Sequence, residues 1–213
     1  DLSALVPAPV SAALEATLRP YQRLGAAWLW HLHRHQLGGV LADEMGLGKT
    51  LQALALLSAL HSQRSTINLR TASLVVCPAS LLENWRREAA RFAPELRVFV
   101  HHAENRLARA ADFAAHDLVI TSYGTLTRDQ ALFVGIEFAC IIADEAQHLK
   151  NRRSQNAATL RALHAPSRFL LTGTPLENSL EDLRSLFDVI LPGYLTRQSA
   201  GARGDERAWF DDR

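Results

Sequence analysis

Four short apolar runs in this 213-residue chain each stop at residues that carry chemistry. Residues 38–42 lead into Asp43-Glu44-Met45-Gly46-Leu47-Gly48-Lys49-Thr50, and residues 117–121 into Ser122-Tyr123-Gly124-Thr125. Residues 138–143 lead into Asp144-Glu145-Ala146-Gln147-His148, and residues 168–171 into Thr172-Gly173-Thr174-Pro175. Apolar runs of this length, alternating with helical periodicity, read as parallel strands buried on both faces. A parallel sheet places all four polar ends on one rim, where open α/β folds bind their ligands. The pattern predicts one three-layer α/β domain: a mostly parallel central sheet of about six or seven strands, flanked by helices and joined by right-handed crossovers.

The first polar end has the chemistry of a phosphate cradle. Glycines let backbone approach phosphate oxygens, and N–H groups at the start of the next helix point at the anion. Lys49 supplies a point charge to the β- and γ-phosphates and the Thr50 hydroxyl suits Mg²⁺. In the strict spacing G-x-x-x-x-G-K-[ST] the first glycine falls at position 43, where this chain has Asp43. The plainer alternative is a glycine-rich turn capping a helix.

Asp144 and Glu145 are costly at the tip of a buried strand unless a cation or a water network satisfies them. Nucleotide-bound Mg²⁺ does so, with Asp144 holding the metal's water shell and Glu145 orienting the attacking water; a surface turn is the alternative. Gln22 stands at the start of a helix predicted over 20–35, with Tyr21, Leu24, Trp28 and Leu32 on one face. Its amide matches the N6/N7 edge of adenine, or is simply an exposed helix side chain. Trp85, on a helix capped by Ser80 and running to 92, is core or a nucleic-acid contact. Ser122 and its neighbours either bond phosphates or start a helix.

The remaining segments read as a short helix over 11–18, a helix over 51–60, a polar loop over 61–71, strands over 73–77 and 97–101, and helices over 104–114, 159–164 and 181–191. Cys77 and Cys140 lie in apolar strand-like runs without C-x-x-C spacing, which predicts buried reduced thiols and a cytoplasmic protein. There is no apolar run of membrane-spanning length, so no membrane partner is expected. The net charge of +1 gives no global basic signature, which confines any nucleic-acid contact to a local patch. Of 23 basic residues only Lys49 and Lys150 are lysines, and Lys49 stands where a compact ammonium suits a phosphate. The chain opens on Asp1 rather than methionine, which points to a piece of a longer protein.

Taken in order, Leu18-Arg19-Pro20-Tyr21-Gln22, Asp43 to Thr50, the segment Cys77 to Trp85, Thr121-Ser122-Tyr123, Asp144 to His148 and Leu171 to Pro175 resemble the first motor lobe of the Swi/Snf-type ATPases, the chromatin-remodeller branch of the superfamily 2 helicase-like motors. The match runs over about residues 18–195. It accounts for Asp43, because that branch uses Asp-Glu-Met-Gly-Leu-Gly-Lys-Thr as its phosphate loop. The resemblance implies a RecA-like lobe at 18–195, after a lead-in at 1–17 and before a linker or frayed end at 196–213. Gln22 would contact adenine. Asp43, Gly46, Leu47, Gly48, Lys49 and Thr50 would form the loop around ATP, with Thr50 and Asp144 on Mg²⁺. Lys49, Asp144 and Glu145 would be catalytic. Ser80, Asn84, Trp85, Thr121, Ser122 and Tyr123 fall in segments that line the track for one DNA strand, and Thr172, Gly173 and Thr174 would couple nucleotide state to DNA grip.

The implied activity is ATP hydrolysis driving translocation along double-stranded DNA, in a nucleoid or a nucleus, with nucleoprotein or RNA polymerase as possible cargo. The acidic motif departs from the commoner Asp-Glu-Ala-His or Asp-Glu-Gly-His, which touches only the coupling role of Gln147 and His148. Nothing after Thr196 resembles the second motor lobe, which supplies an arginine worth on the order of 10³ to 10⁵ in rate in other NTPases. Weak to moderate nucleotide binding with poor turnover is therefore expected. An RNA-directed, RNA-polymerase-displacing or restriction-type motor would share these motifs. A nucleotide-gated interaction module without hydrolysis is a rival of another class, and the presence of Lys49, Thr50, Asp144 and Glu145 together speaks against it.

Overall fold

The six strands that the described residues form in the central sheet all run in the same direction. The computed structural model describes residues 5–67, 71–173 and 180–192, with residues 64–67 and 180–182 described by backbone alone. Strands β1 (Gly39–Leu41), β2 (Ser73–Cys77), β3 (Val98–His101), β4 (Leu118–Ser122), β5 (Ile141–Ala143) and β6 (Arg168–Leu171) lie in the order β1-β6-β5-β2-β4-β3, every neighbouring pair parallel. Leu41 is level with Leu171, Val76 with Ala143 and Cys77 with Ser122. The segments starting at Ala42, Thr172, Asp144 and Tyr123 therefore leave the sheet along one rim, as the four polar ends require.

The period of two along each strand divides the core into two layers. Val75, Cys77, Ile142, Phe169 and Leu171 pack with Leu29 and Trp30 of α2 (Pro20–Arg34), Leu54 and Leu57 of α3 (Lys49–Ile67) and Trp85 of α4 (Leu82–Phe92). Leu74, Val76, Ile141, Ala143 and Leu170 face the other way. They pack with Leu126 of α5 (Tyr123–Arg128), Phe133 of α6 (Gln130–Val134), Leu160 of α7 (Gln155–Ala162) and Val189 of α8 (Leu180–Ile190). Each of the Val, Leu, Ile and Phe side chains among these, fully buried, contributes about 1.5–3 kcal/mol. The short α1 (Ala12–Thr17) adds Leu14 to a smaller cluster with Ala26 and Leu51. This is the three-layer, parallel RecA-like architecture that the sequence predicts.

Local expectations fail in instructive ways. Helix α2 buries Gln22, Ala26, Ala27, Leu29 and Trp30, whereas Tyr21 and Leu24, expected on its inner face, are exposed. Small residues, not the largest ones, mark where α2 and α3 approach. Helix α3 continues through the stretch expected as a loop, to Ile67; residues 61–67 contain no glycine or proline, and polarity there marks exposure rather than an end. The expected helix at 104–114 is instead a bridge between His102 and Asn105 and a 3-10 turn at Ala110–Ala115. Ala103 has φ +52°, and Asn105 Nδ2 donates to Val100 O at 3.1 Å, holding a turn against β3. Helices α5 and α6 sit between β4 and β5, where the sequence offers only a helix start.

Cys77 and Cys140 are both buried, and no disulfide joins them. Among the described residues no helix is long and apolar enough to cross a membrane. Thr174, Pro175 and the expected linker at 196–213 lie outside the described residues.

Candidate active site

Strand β1 delivers the chain into a loop whose two glycines, Gly46 (φ +84°) and Gly48 (φ +74°), both take left-handed backbone. A Cβ on Gly48 would come 2.4 Å from Gln22 Nε2, so glycine is needed there for backbone angle and for space. Gln22 Nε2 donates to Leu47 O at 3.1 Å and the Tyr21 hydroxyl donates to the same oxygen at 3.2 Å. Gln22 Oε1 accepts from Arg19 N at 3.0 Å. Gln22 is thus brought to the loop, as an adenine reader must be, and it also fastens α2 to that loop.

Helix α3 begins at Lys49, which aims the N–H groups of its first turn back into the loop. Lys49 Nζ donates to Asp43 O at 2.6 Å and to Glu44 O at 2.9 Å. Half-buried Thr50 follows on the same turn. From β6, Thr172 is buried and its N–H donates to Leu41 O at 3.1 Å, tying the two strand ends together. A Cβ on Gly173 would come 2.6 Å from Met45 Cγ and 3.7 Å from Lys49 Nζ. The β6 end is therefore pressed against the loop.

At the end of β5, Asp144 is 8% exposed. Its Oδ2 accepts from Trp85 Nε1 at 2.9 Å and its Oδ1 from Glu145 N at 2.9 Å, while its main-chain oxygen accepts from the Tyr123 hydroxyl at 2.7 Å. Burial raises the Asp144 carboxyl above its ordinary range, the hydrogen bonds from Trp85 and Glu145 oppose this, the Glu145 charge adds to it, and the Lys49 charge counters it. Burial first, and then the Asp144 charge, pushes the Cys77 thiol up to about 12, so it stays neutral. Glu145 has φ +53°, ψ +57°, a left-handed conformation that costs a non-glycine residue about 1–2 kcal/mol. Gln147 Nε2 donates to Glu145 Oε2 at 2.7 Å, and the His148 ring lies 5.3 Å from the Tyr123 ring.

The donor set fits a hydrated Mg²⁺. That ion takes one or two carboxylates plus phosphate oxygens rather than a closed protein cage. The described residues hold no cluster of three His, Cys, Asp or Glu, while Asp144 and Glu145 form a pair of carboxylates whose mutual repulsion a cation relieves.

The residues in the DNA-contact segments divide. Ser80 is exposed and Asn84 half-buried, its Nδ2 donating to Glu88 Oε1 at 3.5 Å. The other four turn inward. Trp85 is enclosed against Asp144, the Thr121 hydroxyl donates to His101 O at 2.8 Å, and Tyr123 is buried on Asp144. Ser122 Oγ accepts from Thr125 N at 3.2 Å and so caps α5. What the sequence conceals is that Trp85 and Tyr123, from two other strand ends, position the acid; no local spacing signals a contact across 59 residues.

A family profile described as the SNF2-related domain matches residues 21–203. A putative ATP-dependent helicase/translocase of Bacillus subtilis, YwqA, is 41% identical over 190 residues, 87% of this chain and 20% of that protein. The TATA-binding protein-associated factor MOT1 of Saccharomyces cerevisiae is 35% identical over 205 residues, 92% of this chain and 11% of that one. Among solved structures, the Sulfolobus solfataricus SWI2/SNF2 ATPase core in complex with dsDNA superposes with a TM-score of 0.74 at 37% identity, over 89% of this chain and 38% of that chain. The core domain of the same description gives 0.74 at 34% identity, over 97% and 42%. The chain thus spans a fifth or less of these curated relatives and about two fifths of the solved cores.

Proposed function

The chain belongs to the SNF2-related domain family, and we propose that within it the chain is the ATP-binding lobe of a motor that hydrolyses ATP with Mg²⁺ to move along double-stranded DNA and remodel DNA-protein complexes. The observation that carries this reading is the convergence of Lys49, on the left-handed glycine loop, with buried Asp144 and half-buried Glu145 on one rim of the sheet. Lys49 exchanges two loop carbonyls for β- and γ-phosphate oxygens, and the α3 N-terminus adds its N–H groups. Thr50 and Asp144 would hold Mg²⁺, which when bound neutralises charge on the phosphates. Glu145, aimed by its left-handed backbone, orients a water whose oxygen attacks the γ-phosphorus as the bond to ADP breaks.

The remaining catalytic charge would come from a second motor lobe of the full-length protein, and the DNA strand would run past exposed Ser80 and Asn84. Direct contact by Trp85, Thr121, Ser122 or Tyr123 would need rearrangement; in the present geometry Trp85 and Tyr123 hold Asp144, Thr121 bonds β3 and Ser122 caps α5. Thr172, Gly173 and Thr174 would couple nucleotide state to DNA grip, consistent with Gly173 lying against Met45 and near Lys49. The cargo would be nucleoprotein or RNA polymerase, in a nucleoid or a nucleus. The test is substitution in the full-length protein: Lys49→Ala should lose nucleotide binding, and Glu145→Gln should keep binding and lose DNA-stimulated hydrolysis. Equal hydrolysis by Glu145→Gln and wild type would remove Glu145 from its role.

A further inference from the structure

A carboxylate in a phosphate loop needs an explanation, because it repels the anion that the loop must hold. Asp43 stands where the strict loop has its first glycine. We propose that Gln52 is a positioning residue of the nucleotide site, holding the Asp43 carboxylate turned away from the phosphates; this rests on the phosphate-loop reading above. Gln52 lies on α3 one turn beyond Lys49 and is 1% exposed. Its Nε2 donates to Asp43 Oδ2 at 2.9 Å, while the main-chain oxygen of Asp43 accepts from Lys49 Nζ at 2.6 Å. Asp43 is thereby oriented twice, its carbonyl towards the lysine and its carboxylate towards the glutamine.

The glutamine amide has no freedom to reverse. Its NH₂ must face the carboxylate, which leaves Oε1 buried and without a hydrogen-bond partner among the described residues. Leaving a buried acceptor unpaired costs about 1–3 kcal/mol, which the bond to the Asp43 carboxylate must offset. Gly25 of α2 makes room for it: a Cβ there would stand 1.8 Å from Oε1 and 2.9 Å from Cδ of Gln52. Helix α2 thus sets the loop at both ends, through Gln22 on Leu47 and through the gap at Gly25 that seats Gln52 against Asp43.

The test is Mg-ATP binding by the full-length protein at low and high salt. Gln52→Ala frees the carboxylate to swing towards the phosphates, and affinity should fall about tenfold at low salt. The loss should narrow at about 0.5 M salt, where charge repulsion is screened. Asp43→Asn placed on the Gln52→Ala background should restore affinity to within about threefold of wild type, since the repelling charge is then gone. Gly25→Ala, acting from the other helix by displacing Oε1, should produce the same loss and the same rescue. If thermal melting shows that Gln52→Ala does not fold, Gln52→Met keeps the volume and carries the same readout. Wild-type affinity in the Gln52 variants, or a salt-independent loss that Asp43→Asn does not rescue, would overturn the proposal and leave Gln52 as packing. A wild-type protein that binds no nucleotide at either salt would overturn the phosphate-loop reading, and this inference with it.

Discussion

Asp144 shows how one residue's chemistry is fixed by distant neighbours. Its carboxyl is buried, which raises it, while the hydrogen bonds from Trp85 and the Glu145 N–H and the nearby Lys49 charge favour the charged form. Trp85→Phe removes a donor to the charged form, so the Asp144 carboxyl rises further. The acidic limb of the pH–rate profile of the full-length protein should move to higher pH, and stability should fall by about 1–3 kcal/mol for the unpaired Oδ2. An unmoved acidic limb would mean that Asp144 does not limit the rate at low pH. Glu145 is a second case. Its left-handed backbone makes Glu145→Gly stabilising by up to about 1 kcal/mol in thermal melts, even as hydrolysis is lost, because glycine carries no penalty at φ +53°. The glycine, lysine and acidic signals of the site are legible in the sequence because each follows its strand directly. The partners that hold the acid, Trp85 and Tyr123, are not, because their contacts depend on strand order in the folded sheet.

At the scale of elements, the strands were the legible part and the helix faces were not. A buried parallel strand has no polar face to confuse with an apolar one, so β2, β4 and β6 stand out as apolar runs. Helix α2 misleads because it meets α3 through Gly25, Ala26 and Ala27 while Tyr21 stays outside to bond Leu47. Two elements are joined by charge. Asp117, just before β4, accepts from the Arg97 backbone N–H at 2.9 Å and from its guanidinium at 2.8 and 2.9 Å, with His61 at 3.4 Å. Burial alone would raise this carboxyl, but the Arg97 hydrogen bonds override it and hold it down at about 2. A lowered carboxyl stabilises the fold above its unfolded value near 4, and that contribution is lost as pH falls towards 2. Arg97 is half-exposed, so screening limits the effect. Asp117→Asn should cost about 1 kcal/mol at pH 7, with the two proteins converging by about pH 2 in denaturant titrations.

Arg168 joins three more elements. From β6 its buried guanidinium donates to Leu160 O at 3.0 Å, to Val189 O at 3.1 Å and to Leu163 O, which gathers the C-terminal ends of α7 and α8 where a cation is favoured. Burial lowers it to about 10, still charged at neutral pH. Arg168→Ala should lower stability by about 2–4 kcal/mol through unpaired carbonyls and the cavity left behind, read by thermal melting. For the whole molecule, the parallel sheet gathers the phosphate loop, the acid pair and the β6 end on one rim, yet the chain spans about two fifths of the solved cores it matches. On the proposed function, this rim binds Mg-ATP, and catalysis stays incomplete until a second lobe adds its charge. The direct measurement is Mg-ATP binding and turnover by this chain alone, with and without double-stranded DNA. Saturable binding that Lys49→Ala removes is expected, together with turnover on the order of 10³ or more below that of the full-length protein. Brisk, DNA-stimulated turnover by the chain alone would contradict the division of the catalytic site between two lobes, and absence of nucleotide binding would contradict the site itself.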